Sequence, residues 1–211
     1  MATPALHPVQ FAVDYPARAL NRVSTAFRLI LAIPILIVAD AISGGSTDWT
    51  SGDTRVTIAS AGGLLVLGPL FMIVFRGRYP RWWYDWNVQF LRFAARVGAY
   101  LALLDDRYPS TEDEQAVRLS MPYPDVAHGD VSRGLPLVKW FLAIPHYIVL
   151  FFLWIGVVFA VIAAWFAILF TGGYPRGLFD FVVGVGRWHL RVVGYAFALV
   201  TDVYPPFRLA P

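Results

Sequence analysis

Phe170-Thr171-Gly172-Gly173-Tyr174-Pro175-Arg176-Gly177-Leu178-Phe179-Asp180 follows a long apolar run and opens a segment of mixed character. A near copy stands earlier: Phe75-Arg76-Gly77-Arg78-Tyr79-Pro80-Arg81-Trp82-Trp83-Tyr84-Asp85. Each stretch reads as a corner where an apolar helix ends and an amphipathic one begins. In the later copy Thr171–Gly173 stop the apolar helix, because glycine readily takes the left-handed conformation that closes a helix. Tyr174-Pro175 turn the chain, since the residue before proline is pushed out of the helical region.

Working outward, the two halves match in order. Leu31-Ala32-Ile33-Pro34 answers Leu142-Ala143-Ile144-Pro145, and Arg22 and Arg28 answer Arg133 and Lys139, at an offset of 111. Asp85, Arg92, Arg96 and Tyr100 answer Asp180, Arg187, Arg191 and Tyr195 at an offset of 95. This pattern predicts a tandem duplication of two large units. The difference in offset leaves 16 extra residues in the first half, close to the length of the polar loop Asp40–Arg55.

Apolar residues make up 58% of the 211-residue chain, charged residues 15%, and mean hydropathy is +0.58. Soluble domains carry about 45–50% apolar and about 25% charged residues, so the composition points to an integral membrane protein. With 0 cysteines there is no disulfide framework and no cysteine metal site. A net charge of +3 gives no basic stripe for nucleic acid. Met1–Pro16 lacks the basic and apolar regions of a cleaved signal peptide. Alternation of Val9, Phe11 and Val13 predicts a short extended segment.

The predicted fold is an all-α integral membrane protein of two tandem repeats, each a transmembrane hairpin followed by an amphipathic interfacial helix. The first repeat takes 1–109, with spans at 20–42 and 56–75 and an interfacial helix at 82–104. A connector takes 110–121. The second repeat takes 122–211, with spans at 135–152 and 154–171 and an interfacial helix at 178–200. Its hairpin rests on topology. One helix over 135–170 would be ~54 Å long against a ~30 Å core, and would part Arg133 and Lys139 from Arg176, Arg187 and Arg191. A turn near Phe152–Gly156 puts all of them on the cytoplasmic side, together with both termini. A single long bent helix is the alternative.

Phe141–His146, Trp165–Phe181, Arg187, Arg191, Tyr195 and Asp202–Phe207 together resemble a bacterial membrane family, the domain of unknown function 4389. The resemblance covers most of Pro122–Phe207 and recurs more weakly in the first half. It implies a place in the bacterial inner membrane and no catalytic residues.

Among polar side chains the best constellation is Asp85, Arg92 and Arg96 with its copy Asp180, Arg187 and Arg191. Their spacing of seven and four puts each set on one stripe of a helix. These six are candidates for lipid or partner contacts, with cross-half pairs Asp85–Arg187 or Asp180–Arg92. The Tyr-Pro pairs read as boundary markers with the ring in the apolar zone and the hydroxyl in the headgroups. His146 is the candidate intramembrane polar site, with packing as the plainer reading. His189 is expected to face headgroups. The four histidines, His7, His128, His146 and His189, have no metal-binding spacing. No cofactor is expected. Expected partners are membrane lipids and other subunits of a membrane complex, not nucleic acid. The functional expectation is a non-enzymatic structural or accessory membrane subunit, with a transporter or lipid-handling protein as the alternative and a membrane enzyme third.

Overall fold

A computed structural model describes residues 6–43, 48–51, 54–57, 61–113, 115–126 and 129–211. His128 and parts of the loop Asp40–Arg55 lie outside the described residues. The described elements are β1 (Gln10–Val13), α1 (Arg22–Ala26), α2 (Arg28–Ser43), β2 (Asp48–Ser51), β3 (Thr54–Thr57), α3 (Ala61–Arg76), α4 (Arg81–Leu101), β4 (Val117–Ser120), α5 (Pro136–Leu142), α6 (Ile144–Thr171) and α7 (Arg176–Ala196). The chain is mainly helical, and α6 is the described helix long and apolar enough to cross a membrane.

The extended segment expected at the N-terminus forms, and Val9, Phe11 and Val13 are buried. Its partner carries the same alternation, Val117, Leu119 and Met121 with Arg118 and Ser120 between them. β1 pairs antiparallel with β4, which lies within the stretch expected to be a plain connector. Phe11 faces Leu119 in this ladder and Ala12 faces Arg118. Strand side chains alternate between faces. Phe11, Val13, Val117 and Leu119 therefore point inward, while Arg118 and Ser120 stay exposed. Part of the polar loop forms a second antiparallel pair, β2 with β3.

The two amphipathic helices carry most of the core. α7 packs between β1 and α6, and α4 packs against β4 and α2. Buried side chains of α7 run from Phe179 to Ala196. α6 buries one stripe, including His146, Leu150, Val157, Ala164 and Ile168, and leaves Phe152, Phe159 and Phe170 exposed. Only 22% of its most apolar window is buried.

The second-half hairpin is corrected: α6 runs unbroken for 28 residues through Gly156. Gly156 does not turn the chain. A Cβ there would come within 3.2 Å of the Phe181 ring, so glycine lets α6 and α7 approach closely. The break falls instead at Ala143, between α5 and α6, just before Pro145, whose missing N–H removes a helical bond. The first half differs in the same direction. The span expected at 56–75 becomes the 16-residue α3, because β3 claims Val56 and Thr57. α2 packs on α4 through Ala32 and Ile35 and also touches α3, whose Leu70 and Ile73 join the larger core.

Candidate functional site

The six stripe residues do not make the cross-half ion pairs that their spacing suggests. Asp85 lies 4.0 Å from Arg81 and Asp180 lies 3.8 Å from Arg176, each one turn away on its own helix and well exposed. Exposed pairs of this kind contribute little. The arginines turn inward. Arg92 Nε donates to the Leu119 carbonyl at 3.0 Å, and Arg187 Nε donates to the Phe11 carbonyl at 3.0 Å. Arg187 also donates to Leu209 O at 2.7 Å, Arg191 to Ala210 O at 3.0 Å and Arg96 to Ser110 O at 2.7 Å. The physical reason is burial. A guanidinium inside a fold needs acceptors, and strand edges and chain turns offer free carbonyls, whereas the aspartates sit exposed on the solvent side of their helices, past the first turn. Arg191 is wholly buried, and its pKa falls to about 10 through burial first and then through Arg187 and Arg208.

Further contacts come in matched pairs. The Tyr15 hydroxyl donates to Tyr174 O at 2.6 Å, and the Tyr123 hydroxyl donates to Tyr79 O at 2.6 Å. Arg176 lies over the Tyr15 ring at 4.4 Å, and Arg81 lies over the Tyr123 ring at 4.8 Å. Asn21 N donates to Asp106 at 3.4 Å, and Ser132 N donates to Asp202 at 2.7 Å. Arg28 lies 4.0 Å from the Tyr100 ring, and Lys139 lies 5.1 Å from the Tyr195 ring. Leu103 and Leu199 both take positive φ, 62° and 56°, just past the two amphipathic helices. Gly77 and Gly172 do the same at the two corners, with φ of 61° and 78°. The Arg133 guanidinium packs over Gly77 and the Arg22 guanidinium over Gly172. Sequence reasoning found the repeated residues but not the strand and Tyr15–Tyr123 equivalence, which Val9…Tyr15-Pro16 and Val117…Tyr123-Pro124 carry at an offset of 108.

The corner tyrosines differ from the expectation. Tyr79 and Tyr174 are buried, the Tyr79 ring edge-on to Tyr84 at 6.0 Å and the Tyr174 ring edge-on to Phe179 at 5.7 Å. His146 is fully buried and accepts a hydrogen bond at Nδ1 from Trp188 Nε1 at 3.0 Å. It also stacks on Phe207 at 4.0 Å. His189 is half-buried. It packs edge-on to Trp154 at 5.6 Å in an apolar trench of about 560 Å³ between α4, α6 and α7. Ala95, Gly98, Ala99 and Gly186 keep the trench open, and burial lowers the His189 pKa.

A second opening, of about 960 Å³, lies at the first corner. Arg76, Arg78 and Arg81 line it with Phe75, Tyr123 and Asp125. The equivalent positions at the second corner are Thr171, Gly173 and Arg176. Among the described residues no group of three metal-ligating side chains comes together.

No curated protein and no solved structure matches the chain. A family model, Domain of unknown function (DUF4389), matches residues 136–208, which is one copy running from the start of α5 past the end of α7.

Proposed function

We propose that this protein is a non-enzymatic structural or accessory component seated in the membrane. The observation that carries the reading is the exposed apolar surface of α2, α5 and α6. Leu29 and Phe170 are 77% exposed, Phe159 is 68% and Ile37 is 64%. Monomeric soluble proteins rarely expose an apolar patch of that extent. The polar side chains support the same reading, since Arg92, Arg187, Arg191 and Lys139 are committed to backbone carbonyls. The two halves are read as copies of one unit. The support is that residues matched in sequence make matched contacts, from the Arg92 and Arg187 bonds to the Tyr15 and Tyr123 bonds. The experiment is extraction of membranes with alkaline carbonate, then purification in mild detergent. Retention in the pellet and a stable partner support the reading; release into the supernatant overturns it.

A second reading, a lipid-handling protein, has one observation in its favour, the apolar trench beside His189. A lone, monodisperse protein that carries stoichiometric phospholipid through purification, and loses it on Gly98→Phe, would favour this reading.

A further inference from the structure

The matched contacts define a direction as well as a repeat. In an antiparallel pair of equivalent strands the two-fold axis stands perpendicular to the sheet. Here it passes between Phe11 and Leu119, since these residues face each other and receive equivalent arginines. Such a rotation leaves height along the axis unchanged, so Asn21 and its counterpart Ser132 stand at one height, with Asp106 and Asp202 beside them.

α6 can be placed on that scale. Its last carbonyls end at Gly172, whose oxygen accepts from Leu20 N at 2.9 Å, beside Asn21. The helical segment that leads into α6 begins just past Ser132, and Lys139 and Leu142 remain tied to Thr201 and Tyr204 next to Asp202. Both ends of the α5–α6 segment therefore lie near one height. At ~1.5 Å per residue α6 is ~42 Å long. A helix of that length with both ends near one height lies across the axis, not along it.

The axis must also be the membrane normal. One end of the molecule is the outer sheet face with Arg118 paired to Asp14, both well exposed. α4 and α7 pack between that sheet and α2 and α6, so the exposed apolar faces of α2 and α6 lie toward the opposite end. An axis lying in the bilayer plane would bring Arg118 and Asp14 to mid-depth, where ionised side chains are strongly disfavoured.

We propose that the protein is seated in a single leaflet, with α6 lying across the acyl region without crossing the bilayer. This rests on the membrane reading above and replaces the multi-pass topology that hydropathy suggests. The corners then meet the headgroup phosphates. Arg22, Arg133, Arg81 and Arg176 are placed there by stacking on glycine or tyrosine. Arg76 and Arg78 add charge at the first corner. Arginine matches phosphate geometry well.

The test uses single-cysteine variants of the full chain, which has 0 native cysteines. Gly134→Cys and Gly173→Cys flank the α5–α6 segment, and Phe159→Cys sits on its exposed face. A Cβ at Gly134 meets nothing within 4 Å. Sealed, oriented vesicles are treated with a membrane-impermeant maleimide from each side. The expected result is that both flanking positions react from one side and Phe159→Cys reacts from neither until detergent is added. Flanking positions that react from opposite sides mean α6 crosses and overturn the proposal. Phe159→Cys labelled from the far side, with the flanks on the near side, means a hairpin and overturns it too. Carbonate release of all three variants would defeat the membrane reading itself, and the proposal with it. Retention with opposite-side labelling defeats only the one-leaflet placement.

Discussion

The carbonyls of Phe11 and Leu119, which face each other across the β1–β4 ladder, each accept a 3.0 Å bond from a different long helix: Arg187 of α7 and Arg92 of α4. The strand from the start of the chain is thus held by the helix near its end, and the strand of the connector by the helix of the first half. Neither half is complete alone. Arg187→Met removes the donor to both Phe11 and Leu209. With charge-assisted bonds contributing about 1.5–3 kcal/mol each and Arg187 half-buried, the two together set an expected loss at the low end, about 3 kcal/mol. Urea unfolding in mild detergent measures it, and a change below about 0.5 kcal/mol would place Arg187 among ordinary surface groups.

Lys139 is fully buried, and its ammonium lies 2.7 Å from Asp202 and 2.8 Å from Thr201 O. Asp202→Asn leaves a buried charge without its counter-ion, at an expected cost of about 3–5 kcal/mol. Replacing the pair together, Lys139→Met with Asp202→Leu, should cost much less. If the double variant is as unstable as the single one, the pair is not an isolated ionic unit.

The same carboxyl sets an acid limit. Burial works to raise the Asp202 pKa, but the bonds from Lys139 and Ser132 outweigh it and hold the group below its ordinary 3.8. A depressed folded-state pKa gives stability that is present above the unfolded value and is lost as pH falls through the folded one. Thermal midpoints should therefore hold steady from neutral pH down to about 4 and then drop, and Asp202→Asn should flatten that acid limb. An unchanged limb in the variant would assign acid sensitivity to other carboxylates.

The corners, the amphipathic helices and the matched residues were legible in the sequence because each depends on local chemistry: proline after tyrosine, glycine at a helix end, apolar spacing along a helix. The ladder between β1 and β4 was not, because pairing between Gln10 and Ser120 is set by packing on α4 and α7, which no local pattern encodes. The ion pairs failed for a related reason. Helical spacing places Arg92 and Arg187 on the right stripes, but whether they meet aspartates or carbonyls depends on which strand lies under each helix. The hairpin at Phe152–Gly156 failed because one glycine was given the role of a turn. Its neighbours Leu153, Trp154, Ile155, Val157 and Val158 all favour continuing an apolar helix.

Gly156 gives a direct check on that last point. As a close-approach position, it should not tolerate bulk: Gly156→Val puts its branched side chain into the Phe181 ring, which already stands 3.2 Å from an added Cβ. Overpacking of this sort costs about 1–3 kcal/mol. Gly156→Ala should cost less, because a methyl needs the ring to shift only slightly and alanine is the better helix former by about 1 kcal/mol. Phe181→Leu should restore much of the loss when combined with Gly156→Val, because it removes the ring that valine strikes. Thermal unfolding of the two single variants and the double variant separates the roles. Rescue by Phe181→Leu identifies a helix–helix contact, whereas a turn glycine would lose stability with alanine and valine alike and would gain nothing from a change on α7.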